Sequence, residues 1–180
     1  MRPSAKTRIL DAAVRVIERE GITALTLQSA AEEAGVTKPG LMYHFPTRQA
    51  LVVAIQEHLT ARWEGLLADR LGKPLEEATD QEKVAAYVHV GTHLTASRAE
   101  LAFMVEHDPE VEAVWNDLLE RRVPTPTSAD PHDIDLLLAR MAADGLWMLQ
   151  STTGITLAPA VRKALVARII ALTESASDRD

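Results

Sequence analysis

Apolar residues recur along this chain at helical spacing almost from end to end, with no convincing alternation of the kind a half-buried strand shows. Ile9, Ala12, Ala13, Val16 and Ile17 form the stripe of a first helix, which Gly21 terminates. A second helix opens at the polar cap candidate Thr26 and carries Ala30, Ala31 and Ala34, small enough for another helix to cross at close range. Gly35 then supplies a turn, because glycine accepts the left-handed conformation in which helices end, and Val36 offers an apolar contact back onto the second helix. Thr37 caps a third, short helix with Pro39 in its first turn, where a missing N–H costs nothing. In that helix Leu41 and Phe45 lie four apart and face the protein, so Lys38, Gly40, Met42, Tyr43 and His44 point elsewhere.

A long helix follows from Thr47 through Leu51, Ile55, Leu59, Trp63 and Leu66 to Leu71, where Gly72 and Pro74 stop it. Further helices are expected over 80–97, 98–106 and 109–122. Residues 123–133, VPTPTSADPHD, read as a loop, and two long helices over 131–153 and 158–176 are separated by Gly154. The residues SASDRD at the end are expected to fray. The expected fold class is all-α, with a three-helix head over 1–50 and a helical body over 51–180.

Two short helices joined by a tight turn, the second presenting a polar face, suit entry into a DNA major groove. Thr26, Gln28, Thr37, Lys38, Pro39, Gly40, Met42, Tyr43, His44 and Arg48 are the candidate DNA-binding residues. Each also has a plain structural reading, Lys38 as a solvated helix lysine and His44 as a ring that caps a carbonyl. Arg48 lies in the first turn of the long helix, placed to grip a phosphate or to be solvated. The amides at that helix start are a second candidate phosphate site.

Charge first counts against a nucleic-acid partner, because the net charge is −7 and affinity for DNA comes largely from neutralising phosphates. Its distribution changes that picture. Residues 1–50 hold seven basic and five acidic residues, a balance of +2, which leaves −9 on the remainder. A mildly basic head on an acidic body is what a DNA reader with a separate sensing part shows. The chain has no cysteine, which excludes disulfides, thiolate zinc sites and thiol nucleophiles. Its start is polar, unlike a signal peptide, and no apolar run approaches the length of a membrane span, so a soluble cytoplasmic protein is expected.

The runs ILDAA, REGITALTL, AAEEAGVTKPGLMYHF and RQALVVAI align in register, without gaps, with the DNA-binding region of the TetR family of transcriptional repressors, which this chain resembles over residues 7–55. The resemblance implies a dimeric repressor that is released from DNA by a ligand, and it places Tyr43 and His44 where the phosphate backbone is commonly met. One departure is Met42, which follows the leucine of the recognition helix where the family most often has an aromatic residue. The run AADGLW at 142–147 is similar to a sequence common in the family's C-terminal half.

In the body, the stripe of Leu137, Met141, Asp144, Gly145 and Met148 and that of Val161, Leu165, Arg168, Ile169 and Leu172 are the candidate homodimer interface. Ala142, Ala143 and Gly145 permit close crossing there. A dimer is needed because one short recognition helix contacts too few bases, whereas two heads read a palindrome. Tyr87, His89, His93, Phe103, Met104, His107, Trp115, Trp147, Met148 and Gln150 are candidates to line an effector cavity, apolar with a few polar handles. His89 and His93 share a helix face at a spacing that suits a metal, but no third ligand is fixed by a motif, and neither metal nor cofactor is expected. The expected partners are operator DNA, a small apolar effector and a second copy of the chain, with no membrane. A small helical enzyme using the body histidines as acid and base is the alternative, and it lacks a nucleophile or carboxylate pair at recognisable spacing. A helical adaptor without DNA binding is a further alternative.

Overall fold

The computed structural model describes residues 4–94, 97–105, 108–153 and 155–174, apart from the side chains of Met104 and Val105. The predicted helices over 98–106 and 158–176, His107, Gly154 and the final six residues therefore reach partly or wholly outside the described residues. Among those described there is no strand, and no helix is long and apolar enough to cross a membrane.

In order, the α-helices are α1 (Ala5–Glu20), α2 (Leu27–Ala34), α3 (Lys38–His44), α4 (Arg48–Leu71), α5 (Asp80–His93), α6 (Arg98–Val105), α7 (Pro109–Arg122), α8 (Pro131–Thr152) and α9 (Pro159–Ala171). Short 3-10 turns at Ile22–Ala24 and Leu75–Glu77 complete the set, and periodicity gave no sign of them. The punctuation read from the sequence is present at its places. Gly21 ends α1 at φ 89°, and Gly35 ends α2 at φ 65°. Beyond α2 the Gly35 N–H donates to Glu32 O at 3.1 Å and the Val36 N–H to Ala31 O at 3.0 Å, the paired bonds of a Schellman stop.

The helix predicted over 80–97 is shorter than its periodicity. α5 ends at His93, where Leu94 is extended at φ −89°, ψ 149° with its N–H on Val90 O at 3.0 Å, while within the last turn Thr92 Oγ1 donates to Val88 O at 2.8 Å and His93 Nδ1 to His89 O at 2.7 Å.

The chain forms two compact units, the first of residues up to Arg62 with Ser97–Asn116, the second of Trp63–Ala96 with Asp117 onward. This division differs from a cut at residue 50. The core of the first unit explains the difference, since Ile9, Ile17, Leu25, Leu41, Leu51 and Ile55 from the head share one cluster with Ala99, Phe103 and Val111 from α6 and α7. Glu18 of α1 strengthens that association by accepting from the first amides of α6, Arg98 N at 3.0 Å and Ala99 N at 2.9 Å. At the other side Gln49 Nε2 donates to Asp108 Oδ2 at 2.6 Å and Glu110 Oε2 at 3.2 Å.

In the second unit α5 packs on α8 and α9. A Cβ at Gly91 would stand 3.9 Å from the Ala143 Cβ, so these small residues set the α5–α8 approach. Gln81 Nε2 donates to Thr173 O at 2.9 Å and Arg162 Nη2 to Thr92 O at 2.8 Å, which ties opposite ends of α5 and α9 and makes them antiparallel.

Candidate nucleic-acid interface and effector region

The α2–α3 pair is held from below by apolar packing and from its ends by caps. Thr26 caps α2 through a reciprocal box, its Oγ1 accepting from Ser29 N at 2.9 Å while Thr26 N donates to Ser29 Oγ at 2.9 Å. Thr37 caps α3, with Oγ1 accepting from Gly40 N at 3.2 Å. Leu41 is fully buried and Phe45 is 2% exposed, which fixes the rotation of α3 about its axis. The opposite face is open: Lys38, Pro39, Gly40, Met42, Tyr43 and His44 are all exposed, with Tyr43 at 86%. The Tyr43 and His44 rings meet edge to face at 5.2 Å. The side chains of Lys38, Met42 and Tyr43 make no hydrogen bond or ion pair among the described residues, so this face is not satisfied by the protein itself.

Several of the head's charges are differently placed. Arg48 Nε donates to Leu25 O at 2.9 Å and Nη2 to Ile22 O at 3.2 Å, which clamps the 3-10 turn that precedes α2. Arg15 and Arg19 of α1 converge on Glu33 of α2 at 2.8 and 3.1 Å, and they hold its carboxyl below the usual carboxylate range. Arg8 Nη2 donates to Ala34 O at 3.3 Å, and Gln28 Nε2 donates to Glu32 Oε1 at 2.6 Å. Apart from the i,i+4 pair Gln28–Glu32, these pairings have no local signature, so a charge count along the sequence treats as free several groups that brace the α1–α2 corner. Lys38 is left without such a partner, while Lys6 lies 5.9 Å from the Phe45 ring centre.

The effector candidates divide between the units. Phe103 is buried in the first unit's core, Trp115 lies on α7 in the same unit, the side chain of Met104 is outside the described set and so is His107. Tyr87, His89, His93, Trp147, Met148 and Gln150 belong to α5 and α8 of the second unit. There the Tyr87 hydroxyl donates to Asp144 Oδ1 at 2.7 Å, with Arg140 over its ring at 5.8 Å and Trp63 at 6.0 Å between centroids. Desolvation first, and then the Asp144 charge, push the Tyr87 hydroxyl far above the usual phenol range. Asp144 retains solvent exposure as a residue, yet desolvation of its carboxyl raises its pKa against the lowering influences of Tyr87 and Arg140. The indole Nε1 of Trp147 and both ring nitrogens of His132 are buried without a hydrogen-bond partner among the described residues. A cavity of about 10 Å³, room for one water, is lined by Leu67, Leu71, Leu75, Lys83, Ala86 and Arg122.

His89 and His93 stack at 4.3 Å between centroids with an interplanar angle of 14°. Stacked rings offer their faces to each other rather than converging lone pairs on one ion, and no group of three metal-ligating side chains occurs among the described residues. Desolvation, then the Arg70 charge, lowers the pKa of His89.

A capped helix-turn-helix whose second helix leaves a polar face open is an arrangement that suits a DNA major groove. The family comparisons agree. Residues 9–55 match the model for bacterial regulatory proteins of the tetR family, and residues 81–174 match that of the tetracyclin repressor-like C-terminal domain. The chain belongs to the TetR family. It is 25% identical to the HTH-type transcriptional regulator BetI of Cronobacter sakazakii over 168 residues, which span 86% of this chain and 83% of that protein. It is 36% identical to RutR of Escherichia coli over 58 residues, 32% of this chain and 27% of RutR. Among solved structures, a putative transcriptional regulator from Saccharomonospora viridis in complex with choline superposes with a TM-score of 0.67 at 17% identity, over 92% of this chain and 93% of that one.

Proposed function

We propose that this chain is a ligand-responsive repressor that binds palindromic operator DNA as a homodimer and is released by a small apolar effector bound in its C-terminal part. The observation that carries the reading is the exposed, unpartnered face of α3, held in one rotation by Leu41 and Phe45 and at one angle by the Gly35 stop and the Thr37 cap. Within the interface Lys38 supplies charge, Tyr43 and His44 meet the backbone, and Thr37, Pro39, Gly40 and Met42 lie against the groove. Thr26 and Gln28 flank it from the start of α2. Arg48 positions the interface by holding the turn before α2, and its remaining guanidinium surface faces solvent.

Tyr87, Asp144 and Trp147 supply the polar handles of the effector site, since the buried Tyr87 hydroxyl on the solvent-exposed Asp144 and a buried indole N–H with no partner among the described residues sit on the packed helices α5 and α8. His89, His93, Met148 and Gln150 complete its lining. α4 carries the response, because it begins at the head and continues into the second unit. Release requires an effector that favours the non-binding state by its differential affinity.

The test is binding of the purified chain to labelled DNA from upstream of its own gene, against scrambled competitor, over a salt series. Protection of a palindrome with a steep salt dependence is expected. A folded dimeric protein that binds every sequence equally would sink the reading.

A further inference from the structure

We infer that Met42 reads the 5-methyl group of a thymine in the major groove, so that each half-site requires a thymine at one fixed position. The inference rests on the operator-binding reading above and adds to it the chemistry that α3 selects. In the first unit the large apolar side chains left exposed among the described residues are Met42, at 41%, and Tyr43, and both lie on α3. Their rotation is set by Leu41 and Phe45, buried on the inward face. Tyr43 therefore stands at the tip of the exposed face, while Met42 lies on its flank one turn after Lys38, at i,i+4.

Base edges in the major groove are otherwise rows of donors and acceptors, and the thymine methyl is their one apolar group. Methionine is unbranched and polarizable and lacks a strong donor, so it closes well on a methyl and cannot replace the hydrogen bonds that guanine, adenine or cytosine would lose to desolvation. The discrimination is thus twofold, a gain at thymine and a penalty elsewhere. Lys38 on the same flank brings the phosphate or a guanine edge within reach and fixes the register in which Met42 arrives. On the other flank Gly40 presents no side chain, which lets the α3 backbone approach the duplex closely; a Cβ there would stand 3.1 Å from Thr37 Oγ1.

The experiment uses the full chain. Wild-type protein selects operators from a random duplex pool, and in the enriched operator each thymine of one half-site is replaced in turn by deoxyuridine, which deletes only the methyl. At one thymine the replacement should weaken wild-type binding about fourfold, the equivalent of one methyl group left unburied. Met42→Ala, which removes the side chain from both protomers, should bind the thymine duplex as weakly as wild type binds a duplex with that thymine replaced in both half-sites, and it should show no further loss on uracil. Thermal melting checks that the variant is folded. Enrichment of an operator with no thymine whose methyl effect vanishes in Met42→Ala overturns this inference alone. Enrichment of no sequence overturns the operator reading and the inference with it.

Discussion

Lys38 and Arg48 bracket the recognition helix and differ in what already holds them. Lys38 has no partner among the described residues, so Lys38→Ala should leave the melting temperature unchanged, weaken DNA binding across sequences and lower the salt slope by about 1 per half-site. Unchanged affinity and slope in a titration series would return Lys38 to the solvated surface. Arg48 bonds two carbonyls, and Arg48→Ala should cost about 1 kcal/mol of stability, read as a lower melting temperature. A variant that melts like wild type but loses DNA would instead place Arg48 on a phosphate. In the second unit, Glu64 and Asp144 titrate with opposite signs. Hydrogen bonds from Arg122 and Arg121 depress the Glu64 pKa below 4.5, so its contribution is present above that value and is lost as pH falls through the lower folded value. Asp144 is raised above 3.8 by desolvation, so its contribution is present below 3.8 and is lost as pH rises through the folded value. Melting temperatures over an acid-to-neutral series should show Glu64→Gln losing part of the acid limb and Asp144→Asn gaining relative stability toward neutral pH. Parallel curves for all three proteins would contradict both assignments.

At the scale of elements, what the sequence made legible is what local chemistry decides. Gly21, Thr26, Gly35, Thr37 and Pro39 act within one turn of themselves, and the ends they predict are the ends observed for α1, α2 and α3. Gly35 shows the cause cleanly, since nothing lies within 4 Å of a Cβ placed there and the demand is its φ of 65° alone. Gly35→Ala should therefore destabilise the chain by about 1 kcal/mol, and Gly35→Asn by less, in chemical denaturation. Equal stability of all three would remove the left-handed stop from the account. What stayed hidden is what depends on partners far along the chain. The Glu18 carboxylate on the α6 amides and the Gln49 amide on Asp108 and Glu110 join residues that no periodicity pairs, and they tie α6 and the start of α7 to the head's unit. The grouping of the effector candidates was beyond reach for the same reason. Phe103 reads as apolar in any helix, and only its neighbours assign it to the first unit's core.

For the whole molecule the decisive pattern is where apolar surface remains uncovered. Of the nine large hydrophobic residues exposed among the described residues, two are on α3, and the other seven are Ile134, Leu138, Met141, Met148, Ile155, Val161 and Leu165, on α8, α9 and the segment joining them. Along α8 they follow helical spacing on one side and share Met141 and Met148 with the stripe the sequence suggested, of which Asp144 and Gly145 are exposed as well, while Leu137 turns partly inward and Ile134 and Leu138 face out. Ala143 likewise serves the packing of α5, and Ile169 is buried on the inner face of α9. Two packed helices that leave these apolar side chains exposed support the proposed homodimer, in which a second copy would cover them. Charge placed on that side should separate the copies without disturbing the fold, since these side chains are solvent-exposed in the single chain. Leu138→Glu combined with Met141→Glu is therefore expected to sediment as a monomer with wild-type helix content. It should lose affinity for a palindrome by orders of magnitude while keeping weak, salt-sensitive binding to one half-site, because α3 is untouched and only the pairing of heads is lost. A double variant that still sediments as a dimer would move the interface elsewhere on the chain. A monomer with undiminished palindrome affinity would show instead that each head binds without its partner.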